Sequence, residues 1–174
     1  MRIREAIEVI NLMQKEGVIS SYAIGGAVGA TFYIEPTSTM DVDVFIPLKV
    51  EPGDFISLTH IFEYLKEKGF IIEGEHVIIA DTPIQFLPPT SPLVEKALEE
   101  AVDRDIDGTP VRVFKAEYIA AIALELSRPK DKIRLNQFIE EGVLDAATFG
   151  LIVNAYGLSE KWKKFKSQFD INWP

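Results

Sequence analysis

The stretch YAIGGAVGATFYIEPTSTMDVDVFI, residues 22–46, decides the fold. Residues 22–24 form a short apolar run that favours a β-strand, and the two glycines that follow end it. Residues 27–33 are small and apolar, which predicts a short, tightly packed helix. In residues 41–46 apolar side chains alternate with aspartates, so a second strand begins there. A strand, a glycine turn, a helix and another strand therefore follow one another closely.

Outside this stretch, hydrophobic periodicity predicts one fold class. Apolar side chains recur at helical spacing in residues 3–13, and short alternating runs with turns predict strands between residues 70 and 114. One of those turns is predicted at Asp81-Thr82-Pro83. We predict an α/β (α+β) fold with a small mixed sheet flanked by helices. Residues 1–115 would form the core, and residues 116–174 a C-terminal helical segment packed on it.

Composition excludes several classes of protein. The 174 residues are 47% hydrophobic, enough for one sizeable core. With 18 basic and 27 acidic residues the net charge is −9, so nucleic-acid binding would need a local basic patch. Cysteine is absent, which excludes disulfides and thiolate metal sites. Since no apolar run matches a membrane span and the N-terminus mixes charge into its apolar pattern, we expect a soluble cytoplasmic protein without a membrane partner.

Asp41 and Asp43 are the first residues that indicate chemistry. They are two positions apart on the predicted strand, so both carboxylates lie on one face, about 7 Å apart along the chain. Two such carboxylates repel each other unless a cation lies between them, and hard oxygen ligands select Mg²⁺ or Mn²⁺. An isolated pair of acids at the start of a strand more often faces solvent, so the metal hypothesis needs a second observation.

Gly25 and Gly26 supply that observation. Glycines between a strand and a helix let the backbone approach a ligand closely, and the N–H groups that open the helix can bind an anion. Taken alone, the pair is better explained as a tight turn. Combined with the acid pair on the next strand, it predicts a phosphate cradle beside a metal site, provided that the two strands are neighbours.

These residues resemble a known enzyme superfamily. IGG at residues 24–26 and STMDVD at residues 38–43 are similar to the glycine and DxD motifs of the nucleotidyltransferases typified by DNA polymerase beta. The resemblance implies that Asp41 and Asp43 are catalytic and bind Mg²⁺ or Mn²⁺. It also implies that Gly25, Gly26 and Thr39 bind a nucleoside triphosphate, and that a third carboxylate on a later strand completes the site.

A second motif narrows the resemblance. EYIAA at residues 117–121 and SRPKD at residues 127–131 are similar to the helical RPKD element of the abortive-infection AbiEii-like toxins, which are also nucleotidyltransferases. This implies that Arg128, Lys130 and Asp131 lie at the triphosphate. The implied activity is metal-dependent transfer of a nucleoside monophosphate from an NTP to an acceptor hydroxyl, with toxin-like action on RNA. The acceptor stays open between an RNA end, a protein and a small molecule.

Two departures from the family pattern leave an alternative open. Gln85 stands where the third carboxylate is expected, and an amide can ligate through its oxygen but cannot deprotonate a hydroxyl. Asp81, Glu73 or Glu75 are the alternatives for that role. In addition, residues 121–123 are apolar where the AbiEii-like helix usually bears a lysine. The alternative is a catalytically degenerate nucleotide-binding or interaction module of the same fold, with a partner protein.

The remaining polar residues carry weaker predictions. His60 and His76 are predicted to be isolated from each other and from any acid cluster, as surface or core residues. Residues 128–134 and 161–166 each hold four basic residues. They are interpreted either as solvated helix faces or as a local basic rim that receives triphosphate or an RNA end.

Overall fold

A computed structural model of the chain describes residues 2–36, 39, 41–47 and 58–173. The predicted α/β class is confirmed. Within the described ranges the chain forms eight helices and seven strands, in the order α1 (Ile3–Lys15), β1 (Ala23–Ile24), α2 (Gly26–Ala30), β2 (Val42–Phe45), α3 (Thr59–Glu67), β3 (Ile71–Glu73), β4 (His76–Ile79), β5 (Thr82–Leu87), α4 (Pro92–Glu99), β6 (Val102–Ile106), β7 (Thr109–Val113), α5 (Ala116–Leu126), α6 (Pro129–Glu140), α7 (Ala146–Ala155) and α8 (Ser159–Gln168).

The described strands form one mixed sheet, in the order β3-β4-β5-β2-β1-β7-β6. Strand β2 pairs with β5 in parallel and with β1 in antiparallel orientation, and β1 pairs with β7 in parallel. The glycine turn follows β1 and the acid pair lies at the start of β2. The two motifs are therefore on neighbouring strands near the middle of the sheet. This is the condition that the phosphate-cradle hypothesis required.

The β4–β5 hairpin differs from the sequence prediction. Its turn consists of Ala80 and Asp81, both with positive φ (50° and 58°), as in a two-residue type I′ turn. The predicted turn at residues 81–83 was wrong, because β5 already begins at Thr82. Pro83 fits in the strand because it precedes Ile84, where pairing with β2 begins, so its missing N–H removes no bond to that neighbour.

Helices cover the two faces of the sheet and form two hydrophobic clusters. One cluster joins α1 and α3 to one face and includes Ile7, Leu65, Val42 and Val44. Because side chains alternate along a strand, Asp43 and Phe45 must lie on the opposite face of β2. That opposite face is the one against which the later helices pack, as the contact between the Phe45 and Phe114 rings (4.8 Å between centroids) shows.

The second cluster joins the later helices to the sheet. Ala23, Ala30 and Phe114 pack there with residues of α5–α8 such as Leu124 and Phe138. Helix α5 is buried along most of its length and contacts α2, α4, α6, α7 and α8. The division of the chain at residue 115 stays a prediction. No helix in the described part of the chain is both long and apolar enough to cross a membrane.

Candidate active site

The acid pair lies at the start of β2. Asp43 is in register with Gln85 on the parallel neighbour β5. Asp41 lies just before the strand, and the Thr39 hydroxyl donates a 3.1 Å hydrogen bond to the Asp41 backbone carbonyl. Thr39 thereby fixes the backbone that presents Asp41. Ser38 and Met40 of the motif lie outside the described residues.

The two carboxylates interact electrostatically. Burial raises the pKa of the Asp43 carboxyl above its ordinary value, and the negative charge of Asp41 raises it further. The positive charges of Arg134, Lys130 and Arg128 act in the opposite direction on the same pKa. The pKa of Asp43 therefore depends on the like charge of Asp41 and on the opposite charges of the three cations. Such a half-buried, mutually repelling pair of oxygen ligands is the environment that a divalent cation relieves.

The two glycines have different structural roles. Gly26 has φ +57°, and a Cβ built on it would lie 1.8 Å from Asp43 Oδ2, so its bare backbone lies directly against the carboxylate. Gly25 is buried, and its N–H donates to the Asp43 carbonyl over 3.1 Å. A Cβ on Gly25 would lie 2.6 Å from Phe45 Cε2 and 3.0 Å from Phe114. Gly25 is thus required by aromatic packing, and Gly26 by the position of Asp43.

The start of α6 holds a charge cluster built around Asp131. Its side chain is fully buried, and Arg128 donates to both of its oxygens, with Nε 2.6 Å from Oδ2 and Nη2 3.2 Å from Oδ1. This hydrogen bond raises the pKa of the Arg128 guanidinium. The Arg128 backbone N–H also donates to Asp131 in a capping box. The carboxylate of Asp131 is therefore occupied by α6 itself and holds Arg128 in place.

Arg134 is a site residue that the sequence analysis named only as part of a basic stretch. Its Nη1 lies 3.6 Å from Asp131 Oδ1, and its side chain is 12% exposed. Burial lowers the pKa of its guanidinium, while the charges of Asp131 and Asp43 counteract that effect. Among the described residues, its buried Nε has no hydrogen-bond partner. The helical spacing of Asp131 and Arg134, three residues apart, was the available sequence signal.

The β3–β4 hairpin lies beside the acid pair. His76 Nε2 is 3.4 Å from Asp41 Oδ2, so the prediction that His76 is isolated from acids was wrong. His76 pairs with Gln85 across β4 and β5, and Gln85 Nε2 donates a 3.0 Å hydrogen bond to Glu75 Oε2. The two-residue turn at Ala80 and Asp81 sets the pairing of β4 with β5. A correct prediction of that turn would have placed His76 opposite Gln85.

The donor set at Asp41 and Asp43 fits a hard divalent cation. Mg²⁺ commonly takes one or two protein carboxylates and completes its shell with water and phosphate oxygens. In the described ranges, no group of three or more His, Asp or Glu side chains is arranged to hold a metal ion. A pair of carboxylates with Gly26 against one of them leaves the remaining ligand positions for water and phosphate.

Lysines of the second basic stretch, on α8, contact residues of α5 and of α8 itself. Lys161 Nζ donates to the Glu125 carbonyl, and Lys163 Nζ lies 2.7 Å from Glu160 Oε1. Trp162 is buried on the same helix. These contacts favour the interpretation of α8 as a solvated helix face that packs through its aromatic residues.

Comparison with known proteins identifies the fold. No protein-family model matches the chain, and no curated protein matches it. Solved structures that share its architecture include the following two. One is an antigenic nucleotidyltransferase-like protein from Paracoccidioides brasiliensis, with a TM-score of 0.56, 15% identity, and coverage of 80% of this chain and 75% of that one. The other is ANT(2″)-Ia in complex with adenylyl-2″-tobramycin, with a TM-score of 0.50, 16% identity, and coverage of 97% and 99%.

These similarities confirm the predicted resemblance to nucleotidyltransferases at the level of the fold. The narrower resemblance to AbiEii-like toxins stays a prediction.

Proposed function

We propose that the protein is a metal-dependent nucleotidyltransferase that transfers a nucleoside monophosphate from an NTP to an acceptor hydroxyl. The observation that carries the proposal is the placement of two mutually repelling carboxylates, of which Asp43 lies against the backbone of Gly26 and within electrostatic reach of the cations of α6. Carboxylates that bind a cation, facing cations that bind phosphate, form a pair of surfaces suited to a metal-bound triphosphate.

Each residue of the site has a separate role in the proposed transfer. Asp41 and Asp43 would hold Mg²⁺ or Mn²⁺, which would supply positive charge to stabilise the departing pyrophosphate. Lys130 and Arg128 offset the charge of the triphosphate. The buried Nε of Arg134, which has no hydrogen-bond partner among the described residues, is a further candidate donor to a phosphate oxygen. Asp131 holds Arg128 and Arg134 in position and does not itself need to touch the nucleotide.

The acceptor is proposed by class. ANT(2″)-Ia is described in complex with an adenylylated small molecule, which makes a small-molecule hydroxyl the first acceptor to test. The resemblance of residues 127–131 to AbiEii-like toxins makes an RNA end the second, with toxin-like action, and a protein hydroxyl is the third. In each case the acceptor oxygen attacks the α-phosphorus from the side opposite the leaving pyrophosphate.

One observation favours a second candidate function. Gln85 is in register with Asp43, in the position where the superfamily would carry a third carboxylate. An amide there adds no charge and takes no proton. A catalytically degenerate module that binds Mg²⁺·NTP, or that contacts a partner protein, would carry such a substitution without loss of its role.

Binding and turnover together test these functions. Calorimetry with Mg²⁺ and each NTP measures binding, and transfer of α-labelled nucleotide to RNA, protein and aminoglycoside acceptors measures turnover. We expect binding with turnover, and loss of both in Asp41→Asn. Binding without turnover on any acceptor would support the degenerate nucleotide-binding module. Absence of binding would refute both nucleotidyl transfer and nucleotide binding, and would favour the module that contacts a partner protein.

A matched pair of lysine variants tests the basic side of the site. We expect Lys130→Ala to weaken NTP affinity about tenfold, which is the order of one charge-assisted hydrogen bond. Lys163→Ala removes an equal charge from the exposed pair on α8 and should leave the affinity unchanged. Equal effects of the two variants would show that the chain's overall charge, and not Lys130, acts on the nucleotide.

A further inference from the structure

We propose that Glu75 takes the proton from the acceptor hydroxyl and that Gln85 positions it. This inference rests on the proposed nucleotidyl transfer and names the base that such a transfer requires. The observation behind it is the 3.0 Å hydrogen bond from Gln85 Nε2 to Glu75 Oε2, made by the residue that is in register with Asp43.

The structure places the carboxylate of Glu75 beside Gln85, and not at position 85 itself. Asp43, Gln85 and His76 are paired across the adjacent strands β2, β5 and β4. Paired residues on adjacent strands share a face and lie about 5 Å apart. The amide of Gln85 therefore extends over the same face as Asp43, and its N–H group holds the carboxylate of Glu75 there. The negative charge comes from the β3–β4 turn and not from β5.

The alternatives to Glu75 are engaged elsewhere or lack this contact. Asp81 forms a 3.0 Å ion pair with Arg2, in the turn at the far end of the hairpin strands. His76 contacts Asp41. Glu73 pairs with His76 through the backbone, but the hydrogen bond of Gln85 goes to Glu75. Glu75 is also exposed, so an acceptor can approach its carboxylate.

The amide at position 85 also has an electrostatic consequence for Asp43. A carboxylate at position 85 would add a third negative charge directly beside Asp43, which burial and Asp41 already disfavour in the ionised form. A neutral amide at this position avoids that repulsion.

The proposed step is balanced as follows. The O–H bond of the acceptor breaks, and its proton passes to Oε1 of Glu75 while Gln85 keeps its hydrogen bond to Oε2. The acceptor oxygen forms a bond to the α-phosphorus of the NTP. The bond from the α-phosphorus to the bridging oxygen breaks, and pyrophosphate leaves with that electron pair. The products are the nucleotidylated acceptor, pyrophosphate and a protonated Glu75.

Four variants of the full chain test the assignment: Glu75→Gln, Glu73→Gln, Gln85→Leu and the double variant Glu75→Gln/Gln85→Glu. The readouts are kcat, the KM for NTP and calorimetric affinity for Mg²⁺·NTP. We expect Glu75→Gln to lower kcat about 100-fold at unchanged nucleotide affinity, because a positioned base contributes that much to a proton transfer. Gln85→Leu should lower kcat and leave the KM for NTP unchanged.

The double variant and the control make the result specific. The double variant moves the carboxylate to position 85 and should recover at least about tenfold of the lost kcat, which a purely structural role of Glu75 would not allow. Glu73→Gln removes the same charge from the same hairpin and should keep wild-type kcat.

Each contrary outcome has a distinct meaning. An active wild type whose kcat survives Glu75→Gln overturns the role of Glu75 alone. Equal losses in Glu73→Gln and Glu75→Gln overturn it too, because the hairpin charge would then be responsible. A wild type that transfers nothing to any acceptor refutes the proposed function together with the role of Glu75.

Discussion

The substitution Gly26→Ala tests the contact on which the site depends. At φ +57° a residue with a Cβ costs about 1–2 kcal/mol more than glycine. The new Cβ would also lie 1.8 Å from Asp43 Oδ2, whereas real Cβ contacts are not below 3.0 Å, so the carboxylate must move by at least 3.0 − 1.8 = 1.2 Å if the backbone stays in place. A displacement of about 1 Å at a reacting centre costs about 100-fold in rate. We expect lower stability in urea and a loss of both Mg²⁺ affinity and transfer.

Two controls separate the clash from the backbone strain. Gly157 has a similar φ of +68° and no atom within 4 Å of a built Cβ, so Gly157→Ala measures the strain alone. It should lower Tm by about 2–8 °C and leave Mg²⁺ affinity unchanged. In an Asp43→Ala background the clashing oxygen is absent, so Gly26→Ala should cost less there than in the wild type. If Gly26→Ala destabilises no more than Gly157→Ala and binds Mg²⁺ normally, the proposed contact with Asp43 is wrong.

Two further predictions concern buried polar groups. Asp131→Ala leaves the mostly buried Arg134 without its carboxylate, so it should lower the free energy of unfolding in urea by about 3–5 kcal/mol. Glu160→Ala, which removes a carboxylate from an exposed pair on α8, should have no comparable effect. A small loss in Asp131→Ala would contradict the buried pairing. Burial raises the pKa of Tyr22, whose hydroxyl donates to Asn11, to about 12. Because the folded state then holds this proton more tightly than the unfolded state, the free energy of unfolding should fall between pH 10 and about 12. Tyr22→Phe should reduce that fall, as measured by urea unfolding at several pH values, and an identical slope in both proteins would contradict the assignment.

Local sequence patterns determined most of the elements. Apolar spacing in residues 3–13 predicted α1, and alternation in residues 41–46 predicted β2, although Asp41 lies just before the strand. Helix α6 begins at Pro129 and ends two residues before Gly142, in agreement with the local preferences of proline and glycine. These features depend on neighbours within a few residues, because side-chain periodicity and backbone preference act over one or two turns. The acid pair and its strand were therefore readable without the fold.

The β4–β5 turn shows where local sequence patterns fail to predict the structure. Asp81-Thr82-Pro83 is a typical turn sequence, yet the chain turns one residue earlier, at Ala80 and Asp81. Pairing along β4 and β5 outweighs the local preference of the proline, since every residue of Thr82–Leu87 then finds a partner on β4 or β2. The position of the turn also sets the register of β4 with β5, and that register places His76 opposite Gln85.

Only the tertiary structure decided which distant residues meet. His76 reaches Asp41 across 35 positions of sequence, and the charge of Arg134 reaches Asp43 from a helix that begins at Pro129. The sequence showed only that an amide, Gln85, stands where the family resemblance implies a carboxylate. The order of β2, β5 and β4 and the hydrogen bond of Gln85 place Glu75 beside it. Long-range contacts of this kind depend on which strand pairs bury the most apolar surface, and that is a property of the whole chain.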